Sequence, residues 1–314
     1  MMLSRRMTLG GAALLALPGR VWADATIPQR ASARVIIDND FAGDPDGLVA
    51  LAHQLLTPKT RVVLATSSAL DPKMSGGIAG AAAGAKLALE LMRQGGIAAV
   101  PVEAGAESFG DGPAQITRAA HAIVAEAMRD DPLPLYITCG GPLTNIAAAL
   151  RLEPRIAKRA TLVWIGGGRY PEGGWEYNLN CDLASARQVI EQSAIPLWQI
   201  PQNAYRLMQM SNAELRVRMA GASPFGRWLY AQFTHPPAFI DVGGSWPLGD
   251  SPTVLLTAIS QESSLSVERL ARRILPDGRY GEEIAGRNIR VFETLDARLT
   301  FEDFFALLAL HQQG

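Results

Sequence analysis

Short runs of β-branched and aliphatic residues alternate along the chain with longer segments whose apolar residues recur at helical spacing. This alternation predicts strands and helices in turn. The predicted strands cover 35–37, 61–66, 100–102, 135–138, 162–165 and 197–200, and the predicted helices cover 48–56, 78–92, 114–128, 143–150 and 183–191. Such an order is typical of a mostly parallel open sheet with helices on both faces, so we expect an α/β fold with a Rossmann-like core.

The chain after about residue 203 departs from this alternation and is mainly helical in pattern. Residues 254–259 and 265–274 leave the choice between strand and helix open. Thr300 and Asp303 have the spacing of a capping box that would begin a last helix. The other elements predicted here are helices over 212–220 and 224–233, a loop rich in glycine and tryptophan over 239–248, and a strand over 288–293.

Composition and charge exclude several classes of protein. The chain has 314 residues, of which 48% are hydrophobic and 19% are charged, as in ordinary soluble globular proteins. A net charge of −1 provides no basic surface, so we do not expect a nucleic acid as partner. The two cysteines, Cys139 and Cys181, are too few for a disulfide scaffold or a cysteine-based zinc site, and whether they pair with each other stays open.

The first 25 residues have the pattern of a twin-arginine export signal. Arg5 and Arg6 precede an apolar run over 9–17 that is too short to span a bilayer, and Ala23-Asp24-Ala25 has the small-x-small form of a cleavage site. We therefore predict a signal peptide over 1–25, a single domain over 26–314, and a periplasmic or secreted location. No cysteine lies near the predicted cleavage site, so a lipid anchor is not expected.

Carboxylates are unusually dense directly after the first predicted strand. Four of them fall within nine residues: Asp38, Asp40, Asp44 and Asp46. Ligands of open α/β sheets bind at the carboxyl ends of the strands, so these side chains are expected at a binding site. Like charges crowded there repel one another, and a hard cation such as Ca²⁺ or Mg²⁺ relieves the repulsion. The alternative is an acidic turn in which Asp46 caps a helix.

Three further clusters follow in the order expected for the same edge of the sheet. Gly140-Gly141-Pro142-Leu143-Thr144-Asn145 follows the fourth strand. Gly166-Gly167-Gly168 and Glu176-Tyr177-Asn178 follow the fifth strand, and Gly249-Asp250 ends the glycine-rich loop. Taken alone, each is compatible with an ordinary turn or helix cap. Together they bring further oxygen donors to the carboxylates.

In this order the four clusters resemble the motifs of the nucleoside hydrolases, the inosine/uridine-preferring ribohydrolase family. Asp38-Asn39-Asp40 matches the Asp-x-Asp that opens the family's first motif. The runs beginning at Gly140 and at Ile165 look like its second and third motifs, and Gly249-Asp250 stands where the family often has His-Asp. The resemblance covers about residues 34–260.

The resemblance implies an exported, metal-dependent enzyme that cleaves the N-glycosidic bond of ribonucleosides, with one Ca²⁺ ion that holds a water and the ribose hydroxyls. By similarity, Asp40 is the general base and a metal ligand, Asp250 is a metal ligand, and Thr138 binds the metal through its backbone carbonyl. Asp38 braces the site. The resemblance also implies a small-molecule nucleoside as partner and a homo-oligomer, either a dimer or a tetramer, without a membrane anchor.

The implied substrate-binding residues surround this metal. Asp46 would accept a hydrogen bond from the ribose 2′-hydroxyl, and Glu176 and Asn178 would hold the ribose end that bears the 5′-hydroxyl. The family often has an Asn for the ribose after the second strand, and the nearest polar residue here is Asp71. Trp246 is the preferred aromatic for stacking on the base because it precedes Asp250 by four residues. Other aromatic candidates, each equally compatible with a core position, are Trp175, Tyr177, Trp228 and Phe239.

Position 47 departs from the family pattern. Aligning on the start of the helix places Asp46 at the first Asp of the family's Asp-Asp pair and Gly47 at the second, which is a bidentate metal ligand in the family. Asp44 is the candidate replacement, although Pro45 restricts how Asp44 turns. The missing ligand predicts weaker Ca²⁺ binding or a changed metal preference, and Gly47→Asp is expected to restore metal affinity.

Position 249 departs as well. Gly249 stands where some family members have a His that protonates the leaving base. Tyr230, His235 and Asp241 are candidates for this proton donor, and a surface or packing role is the simpler interpretation of each.

Two classes of function therefore remain. The favoured one is the N-ribohydrolase, and the alternative is a non-hydrolytic or redirected relative that binds a nucleoside or sugar.

Overall fold

A computed structural model describes residues 27–73, 80–236 and 243–312, and the predicted signal peptide lies outside them. The strands are β1 (Ala33–Asn39), β2 (Thr60–Ser67), β3 (Val102–Ala104), β4 (Leu135–Cys139), β5 (Ala160–Ile165), β6 (Leu197–Ile200), β7 (Gln209–Ser211), β8 (Ser245–Pro247), β9 (Leu265–Ile274) and β10 (Tyr280–Thr294). The helices are α1 (Asp46–Leu56), α2 (Ala81–Gly95), α3 (Arg118–Met128), α4 (Thr144–Leu152), α5 (Tyr177–Cys181), α6 (Leu183–Arg187), α7 (Gln202–Tyr205), α8 (Asn212–Glu214), α9 (Pro224–Gln232), α10 (Pro252–Val254) and α11 (Ala297–Leu310). Helices α6, α8 and α10 continue in π-helical turns over Gln188–Gln192, Leu215–Ala220 and Leu255–Ile259.

Eight strands form one sheet in the order β3-β2-β1-β4-β5-β6-β10-β9. All neighbouring pairs are parallel except β9 and β10, which form an antiparallel pair at one edge. The predicted mostly parallel α/β sheet is therefore confirmed, and each of the six strands predicted up to residue 200 is present. A second sheet pairs only β7 with β8.

Strand β1 lies where the chain changes direction across the sheet. From β1 the chain runs outward to β2 and β3, and it then returns to place β4, β5 and β6 on the other side of β1. In this register Asp38 of β1 lies beside Thr66 of β2 and Cys139 of β4. The loops after β1 and β4 diverge at this point, which opens the crevice in which doubly wound sheets bind ligands.

Alternate residues of β1 face two separate apolar layers, because successive side chains of a strand point to opposite faces. Ile36 packs with apolar residues of α3 and α4 on one face. Val35 and Ile37 pack with apolar residues of α1, α2 and α11 on the other. The strand is thus buried on both faces, which explains why its sequence is a continuous apolar run instead of an alternating one.

For the C-terminal part of the chain, the structure resolves one open choice and corrects one prediction. Residues 265–274, left open between strand and helix, form β9 of a long hairpin, since pairing with β10 satisfies its backbone groups at the sheet edge. Helix α11 begins at Ala297 instead of at Thr300, because the Asp296 carboxylate accepts a hydrogen bond from the Leu299 amide at 2.8 Å and caps the helix. The hydroxyl of Thr300 instead donates to the Asp296 carbonyl oxygen at 2.7 Å.

None of the helices within residues 27–73, 80–236 and 243–312 has the length and apolarity to cross a bilayer.

Candidate functional site

A cavity of about 600 Å³ lies at the carboxyl ends of the strands, next to the change of direction at β1. Seven of the residues predicted for the site line it: Asp40, Asp44, Asp46, Glu176, Asn178, Trp246 and Asp250. They come from segments more than 200 residues apart in sequence, so the fold brings together the clusters that the sequence shows separately. The predicted site residues Asp38, Thr138 and Asp71 are not in the lining.

Four aspartates of the lining, Asp40, Asp44, Asp46 and Asp250, repel one another. Burial raises the pKa of Asp40 well above its ordinary value, and the charges of Asp250 and Asp44 raise it further. The pKa of Asp46 is raised well above its ordinary value by burial and then by Asp250, Asp44 and Asp40. Burial raises the pKa of Asp250 to about 7 and that of Asp44 to about 6. The protein therefore concentrates negative charge where little solvent screens it.

Hydrogen bonds hold these carboxylates in place from behind. The Asp250 backbone amide donates to Asp46 Oδ2 at 3.0 Å, which joins the start of α1 to the loop before α10. The Trp246 indole Nε1–H donates to Asp44 Oδ1 at 2.8 Å. Trp246 is itself buried and contacts Phe233 edge to face. Trp246 thus lines the cavity as predicted, while its polar atom orients Asp44.

Asp38 lies beneath the cavity, where it is fully buried. Its Oδ1 accepts hydrogen bonds from Thr66 Oγ1 at 2.6 Å and from Asn145 Nδ2 at 2.8 Å, and Cys139 Sγ contacts its Oδ2 at 3.5 Å. Burial raises the pKa of Asp38 to about 6. These bonds tie the end of β1 to β2 and to α4, which is the arrangement a bracing residue needs.

The backbone that reaches the cavity from β4 belongs to Gly140 and not to Thr138. Thr138 lies inside the strand, is buried, and donates its hydroxyl to the Ile36 carbonyl at 3.3 Å. Gly140 follows the end of β4 and lines the cavity. A Cβ at position 140 would lie 2.6 Å from Asp250 Oδ2, so only glycine lets the backbone approach this carboxylate. Gly140 is thus the residue of this turn whose backbone lies at the cavity, and a metal-binding role for the Thr138 carbonyl stays a prediction.

Gly47 does not leave the gap that the sequence suggests. A Cβ at position 47 would lie 2.6 Å from Asn39 Oδ1, because the Asn39 amide fills the space beside the helix start. Asn39 Nδ2 donates to Asp250 Oδ2 at 2.8 Å. A side chain introduced at position 47 must therefore displace the Asn39 amide, and restoration of metal affinity by Gly47→Asp stays a prediction.

Glu176 uses its carboxylate within the protein. It accepts hydrogen bonds from the backbone amides of Gly167, Asn178 and Leu179 and from the Tyr205 hydroxyl at 2.9 Å. Four hydrogen bonds match the acceptor capacity of a carboxylate. Glu176 caps α5 and orders the cavity wall, so any contact with a ribose hydroxyl would share an oxygen that is already bonded.

Asn178, in the same wall of the cavity, uses its side-chain amide as a hydrogen-bond donor to the backbone. Its Nδ2 donates to the carbonyl oxygens of Ile165 at 2.9 Å and Gly140 at 3.2 Å, which fixes the side chain between two strand ends. Asp71 lies behind this wall, where its backbone amide donates to the Tyr177 hydroxyl at 3.3 Å. Since Tyr177 lines the cavity and Asp71 does not, a binding role for Asp71 stays a prediction.

Tyr205 occupies the space beside Gly249. A Cβ at position 249 would lie 3.0 Å from the Tyr205 ring, and Tyr205 lines the cavity. Of the proton donors considered from the sequence, Tyr230 and His235 do not line the cavity, and Asp241 lies outside the described residues. Sequence reasoning missed Tyr205 because its ring reaches the cavity from a helix that carries no recognisable motif.

Trp175 is the aromatic residue of the cavity that remains free to contact a ligand. It lines the cavity and is 54% exposed, whereas Trp246 is 2% exposed. Two glycines with positive φ angles, Gly173 at 71° and Gly174 at 129°, precede it and turn the chain at the cavity mouth. The sequence signal for this position was therefore the glycine pair followed by a tryptophan.

The side-chain donors at the site do not by themselves form a closed metal centre. In the part of the chain that the structure describes, no three His, Cys, Asp or Glu side chains converge with metal-binding geometry. The donor chemistry nevertheless suits a hard cation, because buried carboxylates line the cavity. Cys139 and Cys181 are both free thiols and add no disulfide to the site.

Solved structures with the same fold define the class of this protein. A plant nucleoside hydrolase has 18% sequence identity and a TM-score of 0.66, with 88% of this chain and 99% of that chain aligned. An inosine-uridine preferring nucleoside hydrolase from Bacillus anthracis has 16% identity and a TM-score of 0.65 over the same shares of the two chains. The chain therefore has the nucleoside hydrolase fold.

Sequence comparison then identifies the family. Residues 35–299 match the family described as inosine-uridine preferring nucleoside hydrolase, and the chain belongs to that family. It is 37% identical over 86 residues to the inosine-uridine preferring nucleoside hydrolase of Crithidia fasciculata, an alignment that covers 26% of each protein. It is 32% identical over 79 residues to the pyrimidine-specific ribonucleoside hydrolase RihA of Citrobacter koseri, over 24% of this chain and 25% of that protein. These alignments span about a quarter of the curated relatives' own length.

Proposed function

We propose that this protein is a metal-dependent N-ribohydrolase that cleaves ribonucleosides to a free base and ribose. The observation that carries the proposal is a set of four aspartates that line one cavity of a nucleoside hydrolase fold: Asp40, Asp46 and Asp250, which are buried, and Asp44, which is half-buried. Cleavage of an N-glycosidic bond passes through an oxocarbenium-like state. Concentrated negative charge beside the sugar stabilises the positive charge that develops in that state.

The residues that would hold the divalent cation, proposed to be Ca²⁺, are Asp40, Asp250 and the backbone of Gly140. All three line the cavity, and Asp44 is a further donor within it. When bound, the cation lowers the pKa of a water molecule and offsets the charge of the carboxylates. Ca²⁺ fits this proposal because it accepts carboxylate and carbonyl oxygens in a flexible arrangement.

The chain's own residues perform the remaining tasks. Asp40 accepts the proton of the attacking water, a role supported by its place in the Asp-x-Asp motif and by its position in the cavity lining. Asp46 accepts a hydrogen bond from a ribose hydroxyl, and the Asn178 amide contacts the sugar from the opposite wall. Trp175 stacks on the base, because its exposed ring stands at the cavity mouth.

The test is release of ribose from a panel of purine and pyrimidine ribonucleosides, with Ca²⁺ and with a chelator. We expect release with Ca²⁺ that is lost on chelation. If no nucleoside is hydrolysed in either condition while a nucleoside still binds, the hydrolase proposal is wrong and the binding relative is supported. Within residues 27–73, 80–236 and 243–312, no three acidic side chains converge with metal-binding geometry, and this observation favours the second candidate.

We also propose that the protein is exported through its twin-arginine signal over 1–25 and works as a homo-oligomer in the periplasm or outside the cell. The proposal rests on Arg5-Arg6 and the apolar run that follows them. We expect wild-type protein to be found in the periplasmic fraction with residues 1–25 removed. An Arg5→Lys/Arg6→Lys variant should remain in the cytoplasmic fraction at full length. Equal export of both proteins would contradict the signal.

A further inference from the structure

One side of the cavity carries a positive charge, in contrast to the side that carries the aspartates. Arg206 lines this side and is the single cationic side chain among the described residues of the lining. It directly follows α7 and is exposed. In the described part of the chain no ion pair joins Arg206 to a carboxylate, although five acidic residues share the lining with it. Its charge is therefore available to a ligand in the cavity.

The backbone at Arg206 is held against the cavity by hydrogen bonds between segments. The Gln209 side-chain amide donates to the Arg206 carbonyl oxygen at 2.8 Å, and the Ser245 hydroxyl of β8 donates to Gln209 Oε1 at 2.8 Å. At the start of α7, the Gln202 backbone amide donates to the Gly167 carbonyl oxygen at 2.9 Å. These bonds fix the position from which the Arg206 side chain extends.

Arg206 lies beside the wall that Glu176 forms. The hydroxyl of Tyr205, the residue before Arg206, donates to Glu176 Oε1 at 2.9 Å. Burial raises the pKa of Tyr205, the charge of Glu176 raises it further, and the Arg206 guanidinium acts against this rise. The guanidinium is therefore close to the Tyr205 hydroxyl, on the same side of the cavity as Glu176.

This wall faces the 5′ end of the ribose in the proposed function. There the aspartates and the cation take the reacting carbon and the ring hydroxyls, and Trp175 takes the base. The 5′ carbon is the remaining substituted position of the sugar, and the sequence motif also implies that it points to Glu176. Glu176 already accepts four hydrogen bonds, so it has no acceptor to spare for a 5′-hydroxyl.

We propose that the substrate carries a phosphate on the 5′ carbon of its ribose and that Arg206 binds this phosphate. The inference rests on the proposed function and names its substrate class, the ribonucleoside 5′-monophosphates. The bond between C1′ and the base nitrogen breaks, the water oxygen bonds to C1′, and one water proton passes to the base. The phosphate is unchanged, so the products are a free base and ribose 5-phosphate.

The donors on this side of the cavity suit such an anion. A guanidinium has only donors, and it binds phosphate oxygens through paired, charge-assisted hydrogen bonds. Gln202 lines the same side and precedes Arg206 by four residues, the spacing that places two side chains on one face of a helical turn. A phosphate accepts hydrogen bonds from both side chains, whereas a single hydroxyl leaves the charge of Arg206 unused.

The test compares uridine with uridine 5′-monophosphate and inosine with inosine 5′-monophosphate, since the members of each pair differ only in the phosphate. With Ca²⁺, the kcat/KM of wild type should be at least about 10-fold higher for each monophosphate. Arg206→Gln should lower the ratio of kcat/KM for monophosphate over nucleoside by about 10-fold to 100-fold, because a charged hydrogen-bond pair is lost. Arg206→Lys keeps the charge without the planar fork, so its ratio should fall less.

The matched control is Arg216→Gln. Arg216 is also exposed and forms no ion pair in the described part of the chain, but it does not line the cavity. This variant removes the same charge from the protein and should keep the wild-type ratio. An equal fall in Arg206→Gln and Arg216→Gln would show that the net charge of the protein acts at long range, and it would overturn a direct contact.

Calorimetric titration of ribose 5-phosphate measures the same contact without hydrolysis. Ribose 5-phosphate should bind wild type at least about 10-fold more tightly than ribose or inorganic phosphate does, and Arg206→Gln should remove this difference. Equal binding of inorganic phosphate and ribose 5-phosphate overturns the inference. Nucleoside hydrolysis without a preference for monophosphates also overturns it and leaves the proposed function standing. Binding of ribose 5-phosphate through Arg206 without release of any base supports the phosphate site and overturns the hydrolase.

Discussion

Asp40→Asn should lower the kcat/KM for ribonucleoside hydrolysis by about 10²-fold to 10⁴-fold, the range that a general base contributes. The amide of Asn has nearly the shape of the carboxylate, but it cannot accept the proton of the attacking water. Asp40 directly follows β1 and lines the cavity, whereas no residue of β1 itself is in the lining. The measurement is the rate of ribose release at saturating Ca²⁺ with several substrate concentrations.

The same substitution should not destabilise the protein. Asp250 and Asp44 raise the pKa of Asp40 by repulsion, so removal of one charge from this cluster relieves unfavourable energy in the metal-free protein. We expect Asp40→Asn to unfold in chelator at a temperature equal to or higher than that of wild type. A loss of activity with retained stability separates a catalytic role from misfolding.

Asp182→Asn is the matched control for Asp40→Asn. Asp182 is also a buried aspartate, but it caps α6 through the Ser185 amide at 3.0 Å and accepts the Thr144 hydroxyl at 2.6 Å, away from the cavity. This variant should lose stability and keep its kcat/KM. A general base contributes at least about 10²-fold to the rate. If Asp40→Asn retains more than about a tenth of the wild-type kcat/KM, the loss is smaller than this contribution, and another group accepts the proton.

The free energy of unfolding of the metal-free protein should fall as the pH rises from about 4 to about 7. The pKa of Asp38 and that of Asp44 are raised by burial to about 6, and that of Asp250 to about 7. A carboxyl group whose pKa is higher in the folded state than in the unfolded state binds its proton more tightly when folded. Its stabilising contribution is complete below the unfolded value of 3.8 and is lost as the pH rises through the folded value.

The size of this effect follows from the shift at Asp38. A rise from 3.8 to about 6 corresponds to about 3 kcal/mol when the full titration is complete, at 1.36 kcal/mol per unit. Asp44 and Asp250 act in the same direction and extend the window to about pH 7. Urea unfolding in chelator at several pH values from about 4 to 8 measures the change.

Two comparisons test the cause of this pH dependence. Asp38→Asn should make the fall in unfolding free energy shallower, because an amide does not titrate. Saturating Ca²⁺ should also flatten it, since a cation stabilises the ionised carboxylates that the protein alone destabilises. An unfolding free energy that stays constant or increases from about pH 4 to about pH 7 in chelator would show that these carboxylates are not raised in pKa.

Features that depend on residues close together in sequence could be predicted from the sequence alone. The apolar runs of β1, β2, β4, β5 and β6 and the helices between them follow from local periodicity, and they were enough to predict the parallel sheet. The aspartates after β1 were visible because they fall within nine residues. The rule that ligands bind at the carboxyl ends of strands then placed them at the site without knowledge of any contact.

The sequence left a choice open, or pointed to the wrong residue, where the contact that decides the structure comes from a distant segment. Residues 265–274 have a local pattern that fits a helix or a strand, and only pairing with β10 decides between them. Thr138 and Gly140 differ by two residues, a distance that local periodicity does not resolve, and the position of Asp250 shows which of them meets the cavity. From the sequence, Gly47 appears only as the loss of a side chain, because the pattern does not show that the Asn39 amide fills the space beside it.

The family, the α/β fold and the acidic end of β1 thus come from the order of residues, since each depends on interactions between near neighbours or on a linear motif. The enclosure of Asn39 by Gly47 and Gly140, the orientation of Asp44 by Trp246, and the filling of position 249 by Tyr205 come from packing between segments 8 to about 200 residues apart. Which side chains share a space is determined by the close packing of the folded interior, and a linear pattern does not contain that information.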